Sequence, residues 1–321
     1  MLRCALLDDY QSVALKLADW SRLAGAVTVE SVPDILPDRD AVVARLADCD
    51  ILVAMRERTP FDAATLARLP KLRLLVTTGM RNAAIDLEAA ARQGVTVCGT
   101  TGGGVPAAEL TWALLLALMK RIPEETRNFA AGGRWQLGLG RELAGRTLGV
   151  VGLGRIGAKV AGYGRAFDMR VLGLARSEVA ARSAALGAEP AASLDDLLAR
   201  ADVVSLHVTL TPQTRGLIGA RELALMKPGA VLVNTARGPI VDEAALIEAL
   251  RSGRLAGAAL DVFDREPLPS EHPLRSLPNV VATPHLGYVT EETYRAWYGQ
   301  ALHDVEAWLA GAPQRVLAQP G

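Results

Sequence analysis

The sequence predicts an α/β chain built as two doubly wound parallel-sheet domains. Three observations carry that expectation. Short apolar runs of strand length alternate with segments of helical spacing over most of the chain. The 321 residues suggest two domains of ordinary size. Leu148–Val151 runs directly into Gly152-Leu153-Gly154-Arg155-Ile156-Gly157, a G-x-G-x-x-G at a strand-to-helix turn.

The elements follow in order. Arg3–Leu7 reads as a strand ending at Asp8-Asp9, and Val13–Leu23 has helical spacing. Val27–Val32, Asp50–Met55, Leu72–Thr77 and Val95–Cys98 read as further strands, with helices at Ala41–Leu46, Phe61–Leu69 and Asp86–Gln93 between them. Thr101–Pro106 is glycine-rich and reads as a hinge between domains. Two helices follow, about Ala107–Arg121 and Glu124–Trp135, each apolar on one side. A partner subunit or their own domain can cover that apolar side. Beyond the glycine turn come a helix at Ala158–Phe167 and a strand at Arg170–Leu174. The alternation then continues through strands Val203–Val208, Ala230–Asn234, Ala256–Leu260 and Val280–Ala282. A helix at about Glu291–Leu309 closes the chain.

Composition narrows the function. Lys+Arg and Asp+Glu both number 35, so no net charge draws the chain to nucleic acid or an anionic membrane. The longest apolar helix core, Leu110–Met119, is too short to span a bilayer. The N-terminus reaches acidic residues within a few positions and does not read as a signal peptide. Cys4, Cys49 and Cys98 are odd in number and lack a C-x-x-C pair, so buried free thiols in a cytoplasmic protein are expected, with no metal site.

The glycine turn sits in a strand–helix–strand unit, and that context points to a dinucleotide. Gly152 permits the tight turn, Gly154 lets the backbone approach a pyrophosphate, and Gly157 lets helix and strand pack closely. The helix N-terminus offers amides to the phosphates. An NAD site usually places an acid about 20 residues further on, at the end of the second strand. Here that position is Ala175, followed by Arg176 and Ser177. A guanidinium suits a 2′-phosphate, so the cofactor is NADP or NAD, with NADP slightly favoured.

Other strand ends carry the chemistry. Arg237 follows one, Glu266 the next and His285 the last, all on the sheet edge that bears the glycine turn. Arg237 can clamp a carboxylate and polarise a 2-oxo oxygen. His285 can act as general acid–base, and Glu266 beside it fixes the tautomer. His207, His272 and His303 read as structural, His207 being the nearest to the cofactor. In the N-terminal part, Arg56 and the backbone of Gly79 and Met80 are the substrate-binding candidates. Arg58 and Arg81 rank behind them.

With these residues assembled, the sequence resembles the D-isomer-specific 2-hydroxyacid dehydrogenases, the family of glyoxylate/hydroxypyruvate reductases, D-glycerate dehydrogenases and phosphoglycerate dehydrogenases. The stretches that carry it are GRTLGVVGLGRIG at 145–157, MKPGAVLVNTARGPIVDEAALIEAL at 226–250, GAALDVFDREPLP at 257–269 and LPNVVATPHLG at 277–287. The resemblance implies Arg237, Glu266 and His285 as the catalytic set. It implies that Arg155, Ile156, Val208, Thr209, Thr235, Ala236, Asp261 and Gly287 line the cofactor. It also implies a Rossmann cofactor domain, residues 102–287, inserted into a flavodoxin-like substrate domain of residues 1–101 and 288–321. A homodimer joined through the helices around Ala107–Arg134 is implied, with Trp135 resembling a tryptophan that reaches the neighbouring subunit's active site in some members.

Three departures stand out. Ala175 lacks the usual acid, Tyr288 stands where many members have a small residue, and Met80-Arg81-Asn82 replaces small apolar residues in the substrate loop. No basic cluster reads as a phosphate pocket, which disfavours phosphoglycerate. The leading expectation is NAD(P)-dependent hydride transfer to and from a small 2-oxo acid. A dinucleotide-sensing, corepressor-like protein and a phosphite-type oxidoreductase remain as alternatives.

Overall fold

The computed structural model describes residues 1–102 and 105–320. Within the stretch expected to be a hinge, Gly103 and Gly104 lie outside the described residues. The chain divides into two units, Met1–Gly103 with Thr290–Gly321, and Gly104–Val289.

In the first unit, strands β1 (Leu2–Leu7), β2 (Val27–Val32), β3 (Ile51–Ala54), β4 (Leu74–Thr77) and β5 (Thr96–Gly99) are linked by helices. These are α1 (Ala14–Leu17), α2 (Arg39–Leu46), α3 (Ala63–Leu66) and α4 (Leu87–Arg92). The strands are parallel in the order β2-β1-β3-β4-β5. They are apolar because parallel strands are covered on both faces; Leu7, Leu52, Leu75 and Val97 pack with Phe61 and Leu66 into one core. Asp38, Asp62 and Asp86 start three of the helices by accepting the amides of Ala41, Thr65 and Ala89.

The second unit opens with α5 (Val105–Met119) and α6 (Ile122–Ala130). Its strands are β6 (Thr147–Val151), β7 (Arg170–Leu174), β8 (Glu189–Pro190), β9 (Val203–Leu206), β10 (Val231–Asn234), β11 (Gly257–Leu260) and β12 (Val280–Ala282). Between them run α7 (Arg155–Ala166), α8 (Val179–Ala185), α9 (Leu194–Arg200), α10 (Ala220–Leu225) and α11 (Glu243–Arg251). The order is β8-β7-β6-β9-β10-β11-β12, all parallel, with the reversal between β6 and β9. The chain returns to the first unit with α12 (Glu291–Leu309) and β13 (Val316–Ala318), which pairs antiparallel with β5. Both units are therefore doubly wound α/β, the class the sequence predicts. Among the described residues no helix is long and apolar enough to cross a membrane.

Several elements differ from the sequence reading. The helical spacing of Val13–Leu23 resolves into α1 and a 3₁₀ turn at Trp20–Leu23, split at Ala18, which is extended. Local side-chain bonds hold that break: the Asp9 carboxylate takes the amides of Val13 and Ala14, and the Trp20 indole donates to the Ala14 carbonyl at 2.9 Å. The helix expected to run to Trp135 stops at Ala130, where the Gly133 amide turns back to the Asn128 carbonyl at 3.0 Å. An alanine Cβ at Gly133 would lie 2.0 Å from Asn128 Oδ1. The sequence reading lacks α8, β8 and β13. The last is too short to show an apolar period, and pairing with β5 defines it.

Candidate active site

At the glycine turn, each glycine has its own reason. Gly152 has φ +101°, and a Cβ there would sit 2.6 Å from the His207 carbonyl oxygen, where the chain leaves β9. A Cβ at Gly157 would lie 2.0 Å from the Gly152 carbonyl, so α7 can close on the turn only without one. Gly154 is different: a Cβ there meets nothing within 4 Å. It is the N-cap of α7 and makes no side-chain cap, and the first turn carries no acid. Open space in front of uncapped helix amides is a cradle that fits a pyrophosphate. Arg155 and Ile156 begin the helix, and Val208 stands beside the turn, its Cγ1 3.0 Å from a Cβ built on Gly152. The Thr209 carbonyl accepts from Thr214 Oγ1 at 2.7 Å.

At the end of β7, Ala175 is half-buried against the core, while Arg176 and Ser177 are exposed. Glu178 follows with φ +54° and pairs with Arg182 at 3.4 Å, so the nearest carboxylate in sequence is turned to its own helix.

The structure brings the catalytic candidates of this unit together on the carboxyl edge of the sheet. Gly238 crosses the chain that leaves β11 so closely that a Cβ would lie 2.0 Å from the Phe263 carbonyl carbon. This crossing sets the Arg237 turn against the loop bearing Glu266. Asn234 shapes the turn, its Nδ2 donating to the Arg237 carbonyl at 2.9 Å and its Oδ1 accepting from the Ala236 amide at 3.1 Å. The Arg237 Nη1 donates to the Ala236 carbonyl at 2.7 Å. Thr235 is buried and shares a 2.6 Å hydrogen bond with Thr111 of α5.

Glu266 and His285 form a pair, Oε2 to Nδ1 at 2.6 Å. The other carboxylate oxygen, Oε1, accepts from the Phe263 amide at 2.9 Å, which locks the carboxylate's orientation. Pairing through Nδ1 leaves Nε2 as the ring nitrogen outside the Glu266 bond. His285 has φ +55°, uncommon for a residue with a Cβ. Asp261 holds that turn. Fully buried, it accepts from Thr283 Oγ1 and the Leu286 amide through Oδ1, at 2.6 and 2.7 Å. Its Oδ2 accepts from the Gly287 amide at 2.8 Å. Burial pushes the Asp261 carboxyl up, against those hydrogen bonds and the nearby imidazole. The Tyr288 ring stands edge-on to His285, with centroids 5.3 Å apart.

In the first unit, Arg56, Gly79 and Met80 gather on the carboxyl edge of that sheet. Arg56 has φ +54° and Gly79 φ +96°. The Gly79 amide donates to Thr100 Oγ1 at 2.9 Å, so it does not serve as the open anion donor the sequence suggests. Glycine is needed for another reason: a Cβ would lie 1.9 Å from Arg56 Nη1, which donates to the Thr78 carbonyl at 2.9 Å. Met80 is exposed. Asn82 ties the loops together, its Nδ2 donating to the Arg56 carbonyl at 2.6 Å and Thr77 Oγ1 at 2.9 Å.

The other histidines have partners of their own. His207 Nε2 lies 2.8 Å from Ser205 Oγ, and burial pushes its pKa down to about 4. His272 pairs with Glu243 at 3.0 Å, and His303 stands 3.7 Å from Glu306. Sequence reasoning missed Asn234, Asn82 and Thr111. An Asn at a strand end before a turn is a signal for the first two, since its side chain commonly bonds the backbone just beyond; Thr111 sits mid-helix and gives none.

Comparison with known proteins agrees with this geometry. The D-isomer specific 2-hydroxyacid dehydrogenase NAD binding domain matches residues 112–287. A glyoxylate reductase of Aeropyrum pernix is 41% identical over 284 residues, 86% of this chain and 84% of that protein. A D-3-phosphoglycerate dehydrogenase of Mycobacterium leprae is 42% identical over 278 residues, which are 86% of this chain but only 52% of that protein. The chain thus spans about half the length of such phosphoglycerate dehydrogenases. The crystal structure of a phosphoglycerate oxidoreductase from Vibrio cholerae superposes with TM-score 0.92 at 38% identity, covering 97% of this chain and 100% of that one. A nicotinamide-dinucleotide cradle, an imidazole–carboxylate pair and these likenesses converge: the chain belongs to the D-isomer specific 2-hydroxyacid dehydrogenases.

Proposed function

We propose that the protein transfers hydride between NAD(P) and a small D-2-hydroxy acid or its 2-oxo acid, with Arg237, Glu266 and His285 as the catalytic set. The observation that carries this is the 2.6 Å bond between His285 Nδ1 and Glu266 Oε2, with Glu266 itself anchored on a backbone amide. An imidazole so held presents one defined nitrogen to a reacting oxygen.

When bound, the nicotinamide supplies the hydride to the 2-oxo carbon or takes it back. His285 Nε2 gives a proton to the developing alkoxide in reduction and accepts it in oxidation. Glu266 keeps the ring oriented and balances the imidazolium. Arg237 holds the substrate carboxylate and polarises the oxo oxygen, a task for which a planar, permanently charged group is suited. Arg56 and the Met80 backbone are the substrate-binding candidates of the first unit. Gly152, Gly154, Gly157 and the start of α7 hold the pyrophosphate. The lack of an acid at Ala175, with exposed Arg176 and Ser177 following, supports NADP over NAD. The glyoxylate reductases among the relatives support a short substrate.

Initial rates of NADPH and NADH oxidation against glyoxylate, hydroxypyruvate and larger 2-oxo acids test this reading. Turnover with any of them is expected, faster at limiting NADPH than NADH. Tight dinucleotide binding with no turnover would instead mark a dinucleotide-sensing protein. Arg176→Ala is expected to weaken NADPH far more than NADH; equal losses would remove Arg176 from the 2′-phosphate.

A further inference from the structure

The loop that carries Glu266 runs from the end of β11 to a 3₁₀ turn at Pro273–Arg275. Both ends of it meet one carboxylate. Glu243 is the first residue of α11. Its Oε2 accepts from the Asp264 amide at 3.4 Å, and its Oε1 stands 3.0 Å from His272 Nε2. Residues 264–272 therefore form a loop closed at its base by a single side chain, with Glu266 inside it. His272 has a second task as the N-cap of the 3₁₀ turn. Its Nδ1 accepts from the amide of the buried Leu274 at 3.4 Å. With Nδ1 accepting, the ring proton sits on Nε2 and is donated to Glu243.

The closure reaches the acid–base pair through one peptide. A Cβ on Gly238 would lie 2.0 Å from the Phe263 carbonyl carbon and 2.5 Å from the Asp264 nitrogen, so that peptide is pressed from one side. The Phe263 amide donates to Glu266 Oε1 at 2.9 Å, and the next amide, that of Asp264, donates to Glu243. Two consecutive amides are thus taken by two carboxylates, one from the acid–base pair and one from α11. Ion pairing alone does not explain an acid at 243. Burial and the charges of Glu243 and Asp242 push the neighbouring Asp264 carboxyl up, against Arg215. What a carboxylate offers here is two acceptor oxygens on one short side chain, one for each end of the loop.

We propose that Glu243 and His272 are positioning residues for the acid–base pair: they close the 264–272 loop and so hold Glu266 on His285 Nδ1. This rests on the acid–base role proposed for His285. All the residues involved belong to the second unit. The charged groups that bear on the His285 ring are Glu266 and Asp261, and the closure leaves both in place.

The test compares Glu243→Ala, Glu243→Gln and His272→Asn with the wild type. An asparagine side chain still caps the turn at Leu274 but is too short to reach Glu243, so His272→Asn separates the cap from the closure. A carboxylate on Nδ1 favours the imidazolium, so loosening Glu266 lowers the pKa of His285. In Glu243→Ala and His272→Asn, kcat for reduction of the preferred 2-oxo acid is expected to fall about 10-fold or more, with the dinucleotide KM within about two-fold. The falling limb of kcat against pH is expected to move to lower pH, since reduction needs the protonated ring. Glu243→Gln, with one acceptor oxygen, is expected to lie between. A second readout does not depend on turnover. The His285 imidazole signal, followed by NMR and assigned by its loss in His285→Asn, is expected to titrate at lower pH in the same variants. An unshifted His285 titration overturns the proposal, as does a lowered melting temperature with kcat and its pH limb unchanged, which would make the closure a brace of the fold. A shifted titration in a protein that reduces no 2-oxo acid supports the closure and overturns only the assigned reaction.

Discussion

At the scale of single residues, the site depends on a few side chains whose bonds leave little freedom. His285→Asn is expected to abolish turnover and leave dinucleotide affinity within a few-fold, measured by kcat and by cofactor fluorescence titration; retained turnover would remove His285 as the acid–base. Arg237→Ala is expected to cost about 3–4 kcal/mol of transition-state stabilisation, read from kcat/KM. A change confined to KM would leave Arg237 a binding residue only. Asp261 acts through its neighbours. Asp261→Ala strands the Leu286 amide and the buried Gly287 amide, the latter costing about 1–3 kcal/mol, and releases the left-handed turn at His285. A drop in melting temperature together with a drop in kcat is expected; a stable, fully active variant would separate Asp261 from the His285 turn.

At the scale of elements, two junctions stand out. The crossing at Gly238 brings the Arg237 turn to the Glu266 loop. Gly238→Ala would drive a Cβ into the Phe263 backbone and is expected to cost at least ~2 kcal/mol and most of the activity. The other junction ties β13 to α12. Asp304 is fully buried and pairs with Arg315 at 2.7 Å, yet burial pushes its carboxyl up to about 6. A carboxyl with a raised folded-state pKa favours folding while protonated and gives up that contribution as pH rises through the raised value. From about pH 4, the ordinary carboxylate range, to about pH 6, the wild-type melting temperature is expected to fall relative to Asp304→Asn. Parallel profiles would show that Asp304 does not titrate in that window.

At the scale of the whole molecule, the second unit leaves an apolar surface on and after α6. Phe129 is 72% exposed, Trp135 83% and Leu139 93%, with the first two rings 6.4 Å apart. An exposed patch of this kind marks an interface, and a second copy of the chain is the expected partner. Light scattering is expected to give a dimer for the wild type and a monomer for Phe129→Asp with Trp135→Asp. A monomeric wild type would end that assignment.

The sequence by itself determined the alternation of strands and helices, both doubly wound units, the glycine turn and the three catalytic candidates. These are local signals: buried parallel strands are continuously apolar, and Gly152, Gly157, Arg237, Glu266 and His285 each stand just past one. Contacts between residues far apart in the chain are not written in any local period, and these only the tertiary structure decided. They include the Glu266–His285 bond, the Gly238 crossing, and the three donors that engage Asp261, which the resemblance places only at the cofactor. They include the use of Gly79 to make room for Arg56. They also include the stacking of Arg58 on Tyr10, from the ends of β3 and β1. In sequence Arg58 looks like a solvated charge; the fold gives it a ring, a carbonyl and a neighbouring hydroxyl. β13 likewise exists only because β5 offers an edge and Asp304 holds Arg315.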